Sequence, residues 1–168
     1  MARMFRYSRS ILIDAPVEAI TPEIVDLQRH NTWSPFAKPD PKATDVYAGR
    51  PGVGQSRTFA GGRSGAGRIT IDVVEPTRIL MTLAMTKPVK ATNTVEYTLE
   101  PEDGGTRVSW SLFGPMTLIG RIMGLFIDCE AMCGRMFEEG LAALKRHVEA
   151  PATRLSRRPG EALVTAVA

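Results

Sequence analysis

The sequence predicts an α+β fold in which a curved antiparallel sheet of six or seven strands wraps around one long C-terminal helix, with two short helices after the first strand. Three observations predict it. Apolar residues alternate in short runs from Asp45 to Leu112, then recur at helical spacing beyond Gly114-Pro115. The runs are joined by short Gly- and Pro-bearing segments, and strands joined so tightly pair antiparallel because parallel neighbours need long crossovers. No proline interrupts Met116 to Glu149, a stretch that makes a helix of roughly 45–50 Å at 1.5 Å per residue.

The elements follow in order. Phe5, Tyr7, Arg9, Ile11 and Ile13 share one face of a half-buried strand over 5–13, which Asp14-Ala15-Pro16 ends. Pro16 with Glu18 starts a short helix, and Thr21-Pro22-Glu23 supplies a cap and a first-turn proline for a second. Asn31 to Pro41 carries Trp33, Phe36 and three prolines and reads as an ordered loop, while His30, after Gln28-Arg29 at a helix end, reads as exposed. Strands are then expected over Asp45–Ala48 and Gln55–Ala60, around a glycine-rich turn, and through Ile69, Ile71 and Val73. Ile79, Met81, Leu83 and Met85 form the next, followed by Val95, Tyr97 and Leu99. Asp103-Gly104-Gly105 makes a hairpin turn into Val108, Trp110 and Leu112.

In the last segment, Leu118, Ile122, Phe126, Cys129, Cys133, Met136, Phe137 and Leu144 fall on one helical face, with charged residues opposite. A helix over most of 118–148 with two such faces must lie across the sheet. Residues 1–150 are therefore expected to form one domain, and 151–168, which lack periodicity, a flexible tail.

Composition narrows the function classes. The 168 residues are 43% hydrophobic and 23% charged, with 21 basic and 18 acidic residues for a net charge of +3. Arg3, Arg6, Arg9, Arg154, Arg157 and Arg158 lie near the two ends, and no nucleic-acid recognition motif accompanies the charge, so no nucleic-acid partner is expected. No run approaches the ~20 apolar residues of a membrane span, so no stable membrane insertion is expected, and a cytoplasmic location follows by default. Cys129 and Cys133 sit one helical turn apart and read as apolar thiols rather than a disulfide. The only histidines are His30 and His147, too few for a metal set, and no cofactor motif is present, so neither metal nor cofactor is expected.

Ser10-Ile11-Leu12-Ile13-Asp14-Ala15-Pro16, Trp33-Ser34-Pro35-Phe36, Pro51-Gly52-Val53-Gly54, Glu75-Pro76, Gly105-Thr106-Arg107-Val108-Ser109-Trp110 and Gly140-Leu141-Ala142-Ala143-Leu144-Lys145 occur in an order and spacing that carry a resemblance. Together they are similar to the polyketide cyclase/dehydrase branch of the START-like (SRPBCC, helix-grip) superfamily, over nearly residues 5–149. The resemblance implies a deep pocket between sheet and helix that takes lipids, sterols, polyketides or other apolar molecules. It does not imply one reaction.

Within that layout the inward positions become candidate ligand contacts: Phe59, Met81, Leu83, Met85, Asn93, Tyr97 and Trp110 from the strands, and Ile122, Phe126, Cys129 and Cys133 from the helix. Methionine suits an irregular apolar ligand because it is soft and adaptable. Trp33 and Phe36 are expected to cover one end of the pocket, as gate or as plug. Glu130 is the one carboxylate near the inward helix face and hence the tentative catalytic residue, a general base if burial raises its pKa. Arg68 and Arg107 lie out of register with the apolar faces and read as solvated; Arg63, in a glycine-rich loop, has no assigned place.

The functional expectation is a carrier or sensor that binds a small hydrophobic molecule. The alternative is a polyketide cyclase or aromatase using the same cavity. The sequence leaves the ligand and the oligomeric state open.

Overall fold

A computed structural model describes residues 3–37, 40–62, 65–117, 121, 124–125, 128–150 and the backbone of 151–155. The chain opens with β1 (Met4–Ile13), followed by α1 (Val17–Val25), α2 (Leu27–Trp33) and a 3₁₀ turn at Pro35–Ala37. Six strands come next: β2 (Thr44–Ala48), β3 (Ser56–Ala60), β4 (Ala66–Glu75), β5 (Arg78–Lys87), β6 (Ala91–Glu102) and β7 (Gly105–Pro115). The final helix α3 spans Cys129–Leu155. The seven strands form one sheet in the order β1-β7-β6-β5-β4-β3-β2, antiparallel throughout.

Strand alternation sets which residues meet α3. Ile13, Ile71, Ile79, Met81, Val95, Tyr97, Leu99, Val108 and Trp110 are buried on the concave face, against Phe137, Leu141 and Leu144 of α3. Ile20, Ile24, Leu27 and Trp33 close the core from α1 and α2. Burying each large apolar side chain of this kind is worth about 1.5–3 kcal/mol. The convex face is polar. There Glu96, 7% exposed, is held between Arg6 (2.6 Å) and Arg78 (2.9 Å). Burial alone would raise its carboxyl pKa, but the hydrogen bonds from the two guanidinium groups outweigh it and hold the carboxyl below its usual value.

Several local expectations are corrected. The second short helix starts at Leu27 rather than near Thr21, and α1 runs through Pro22. Ile20 and Ile24, one turn apart and both fully buried, pin α1 across the proline, while Asp26 caps α2 by accepting from the Gln28 N–H at 3.0 Å. The loop therefore begins after Trp33, not at Asn31. A β-bulge between Ile71 and Val73 sets Val73 opposite Leu80, out of phase with Ile69 and Ile71.

The C-terminal helix also differs. The Arg121 N–H bonds to the Thr117 carbonyl at 3.0 Å, but Gly124 and Leu125 form a turn, so the helical pattern is broken before α3. Asp128 restarts it: its side chain accepts from the Ala131 N–H at 2.9 Å and its carbonyl from the Met132 N–H at 3.0 Å. The backbone then stays helical past Pro151 to Leu155, into the expected tail. Leu118, Ile122, Phe126 and Arg63 lie outside the described residues, as do 156–168.

Candidate functional site: a half-open trough on the concave face

The concave face has two halves. In one, Tyr97 and Trp110 are cross-strand neighbours whose rings stack at 5.2 Å, and Phe137 of α3 stacks on Trp110 at 4.7 Å. Trp33 and Phe36 meet Trp110 edge-on at 5.9 and 5.8 Å. Gly140 makes this possible, since a Cβ there would come within 2.6 Å of Trp110 and 2.8 Å of Pro35. Trp33 and Phe36 thus form part of an aromatic plug. Met81, Tyr97 and Trp110 belong to the solid core beneath it, at 0%, 0% and 3% exposure, rather than to the lining of an open space.

His30 lies inside this plug, which corrects the expectation of an exposed residue. Leu27, His30 and Trp33 recur three apart along α2, and all three are buried. Its Nε2 is 2.9 Å from the Tyr97 hydroxyl. Burial, aided by the charge on Arg57, lowers the His30 pKa to about 3, so the ring is neutral near pH 7. Burial likewise drives the Tyr97 hydroxyl well above its ordinary pKa.

The other half is not filled by the described residues. Tyr7, Ile69, Leu83, Met85, Asn93 and Leu112 all point inward from the sheet yet are only half-buried. β5 and β6 lie within the sheet, not at its edges, so their partial exposure marks a trough over the concave face. Gly67 forms part of its floor and is itself covered: the ring of Phe59 and the sulfur of Met85 occupy the space a side chain would need, at 3.0 and 3.1 Å. The Asn93 amide lies over Gly114 in the same way, with Oδ1 buried and without a hydrogen-bond partner among the described residues. Of the sequence-named residues, Phe59, Leu83, Met85 and Asn93 are brought together here.

The helical side of the trough comes from α3. Cys129 and Cys133 are free and half-buried, and both lie close enough to Tyr7 to perturb it electrostatically. Burial is the main cause of the raised Cys133 pKa, so this thiol stays protonated near neutrality. Glu130, in contrast, is solvent-exposed in the first turn of α3. Arg68 is exposed and donates to Ser56 at 2.8 Å, and Arg107 pairs with Glu102.

Sequence reasoning passed over the polar wall on the β3 side. Arg57 shares inward parity with Phe59, and its side chain is only 13% exposed. Its Nε donates to Asp45 Oδ1 at 2.7 Å, and the guanidinium lies 5.2 Å from the Phe59 ring centroid. Asn31 joins this group through a 3.5 Å contact to Asp45. The parity of Arg57 with Phe59 in the 55–60 run was the available signal. Two surface grooves, of about 700 and 490 Å³, border α1 on its outer side and contain none of these inward residues.

A family model described as polyketide cyclase / dehydrase and lipid transport matches residues 4–149. The chain belongs to this family. Its architecture is the helix-grip fold of START-like (SRPBCC) proteins. The solution structure of KanY is similar, with a TM-score of 0.62 at 21% identity, over 88% of this chain and 99% of that one. So is the Aha1 dimer from Colwellia psychrerythraea, with a TM-score of 0.61 at 17% identity, over 86% and 96%. DynU16, titled a putative protein in the dynemicin biosynthetic locus, matches at a TM-score of 0.60 and 18% identity, over 87% of this chain and 48% of its own. At these identities the likeness is one of fold. No curated protein sequence matches the chain. No described helix is long and apolar enough to cross a membrane.

Proposed function

We propose that the protein binds a small apolar molecule in the trough, as a carrier or sensor. One observation carries this reading: Leu83, Asn93 and Leu112 lie on inner strands of the sheet, face α3, and still retain exposure. A core built only for stability would fill that space, because interiors pack at near-crystalline density. The family description, which includes lipid transport, supports the same reading.

The enzyme alternative draws support from DynU16, which sits in a biosynthetic locus. The residues here favour the carrier. Glu130 is exposed, and His30, with its pKa near 3, is a weak base at neutral pH.

Leu83→Trp tests the proposal, because it fills the trough from a half-buried position without overpacking the core. Native mass spectrometry of the wild-type protein should reveal a co-purifying small molecule or retention of an added apolar one. The variant should bind at least ~10-fold more weakly while unfolding at the same denaturant midpoint. Equal binding by both proteins would place the ligand elsewhere.

A further inference from the structure

The trough has one charged wall, and its geometry names a ligand class. Arg57 is a permanently charged guanidinium on the inward face of β3, 13% exposed, beside the half-buried Ile69. Asp45 engages Nε only, at 2.7 Å, and Phe59 lies against the guanidinium at 5.2 Å. Both contacts fix the side chain. Neither uses the two terminal amino groups, which have no hydrogen-bond partner among the described residues and are not among its fully buried unpaired atoms. The residue is therefore held as a forked donor, with four N–H bonds left to aim at an acceptor.

Resting on the reading of the trough as a binding site, we propose that its ligand carries an acidic oxygen group, a carboxylate or an ionised enol or phenol, that docks on Arg57. The apolar body then runs over Ile69, past Leu83, towards Asn93. From β3 to β6 is three interstrand spacings, about 14 Å, which suits a molecule with a charged head and an apolar body of that length. Asp45 moderates the charge of Arg57, and so the preference for an acid over its neutral ester is set by the fork as well as by the charge.

Matched probes separate the head group from the body. cis-Parinaric acid and 1-pyrenebutyric acid, each with its methyl ester, are titrated against the full chain and followed by their own fluorescence. The wild-type protein should bind at least one acid ~10-fold or more tightly than its ester. Arg57→Met should abolish that difference and leave the affinity for the ester unchanged. If Arg57→Met fails to fold, Arg57→Lys keeps the charge without the fork and should reduce the preference several-fold. Equal binding of acid and ester by the wild type, or a preference that persists in the Arg57 variant, would overturn the head-group assignment alone. Failure of all four probes to bind the wild type would overturn the trough reading, and the assignment with it.

Discussion

At the scale of single residues, His30 shows how a buried titratable group ties stability to pH. It is neutral in the folded protein because the plug of Trp33, Tyr97 and Trp110 excludes the water that would solvate an imidazolium. Below its ordinary pKa of 6.5 the unfolded chain takes up a proton that the folded chain refuses until about pH 3. Protons thus favour the unfolded state, and stability falls as pH drops through that window. At about 1.4 kcal/mol per pKa unit, the whole window amounts to roughly 4–5 kcal/mol. Urea unfolding at about pH 7 and about pH 5 should show a clear loss in the wild type and a much smaller one in His30→Gln. A variant profile as steep as the wild type's would remove His30 as the source. Glu96 adds a separate acid limb: its lowered pKa gives stability above its ordinary value of 4.5, lost as pH falls through the folded pKa.

At the scale of elements, α3 is set against the sheet by two buried glycines with different neighbours. A methyl group at Gly140 would meet the Trp110 ring at 2.6 Å and Pro35 at 2.8 Å, and Trp110 cannot yield because Tyr97 and Phe137 clamp its faces. The nearest atoms a methyl at Gly134 would meet belong to the guanidinium of Arg9, whose long side chain can swing away. Alanine favours a helix over glycine by about 1 kcal/mol, and overpacking costs about 1–3 kcal/mol. Gly140→Ala should therefore lower Tm by up to about 8 °C despite its better propensity. Gly134→Ala should be close to neutral, since the Arg9–Glu138 pair it disturbs is a surface salt bridge. Equal Tm changes in the two variants would refute this account of the helix–sheet contact.

At the scale of the whole molecule, a ligand that binds only the folded chain must stabilise it by mass action. An apolar acid at 100 times its Kd should add about 2.7 kcal/mol, or roughly 5–10 °C in Tm. Leu83→Trp should abolish that shift, and Glu130→Gln should leave it intact, because Glu130 faces solvent. A loss of the shift in Glu130→Gln would bring that carboxylate back into the site.

Period and punctuation alone determined the antiparallel sheet, the final helix and the inward set Leu83, Met85, Asn93, Tyr97 and Trp110, because the alternation of a strand is a local property of the chain. Local pattern also gave parity to Arg57, but not its importance, which depends on Asp45 and Phe59 from neighbouring strand positions. The break before α3 was hidden because the apolar spacing continues through Gly124 while the Asp128 cap restarts the helix. Only tertiary structure decided which inward residues are packed solid and which face the trough. Burial depends on what arrives from elsewhere: Trp33, Phe36 and Phe137 converge on Trp110 and seal one half, whereas Leu83 and Leu112 keep their exposure. His30 moved from surface to core for the same reason, since its environment is made by Tyr97, which lies 67 positions away in the chain.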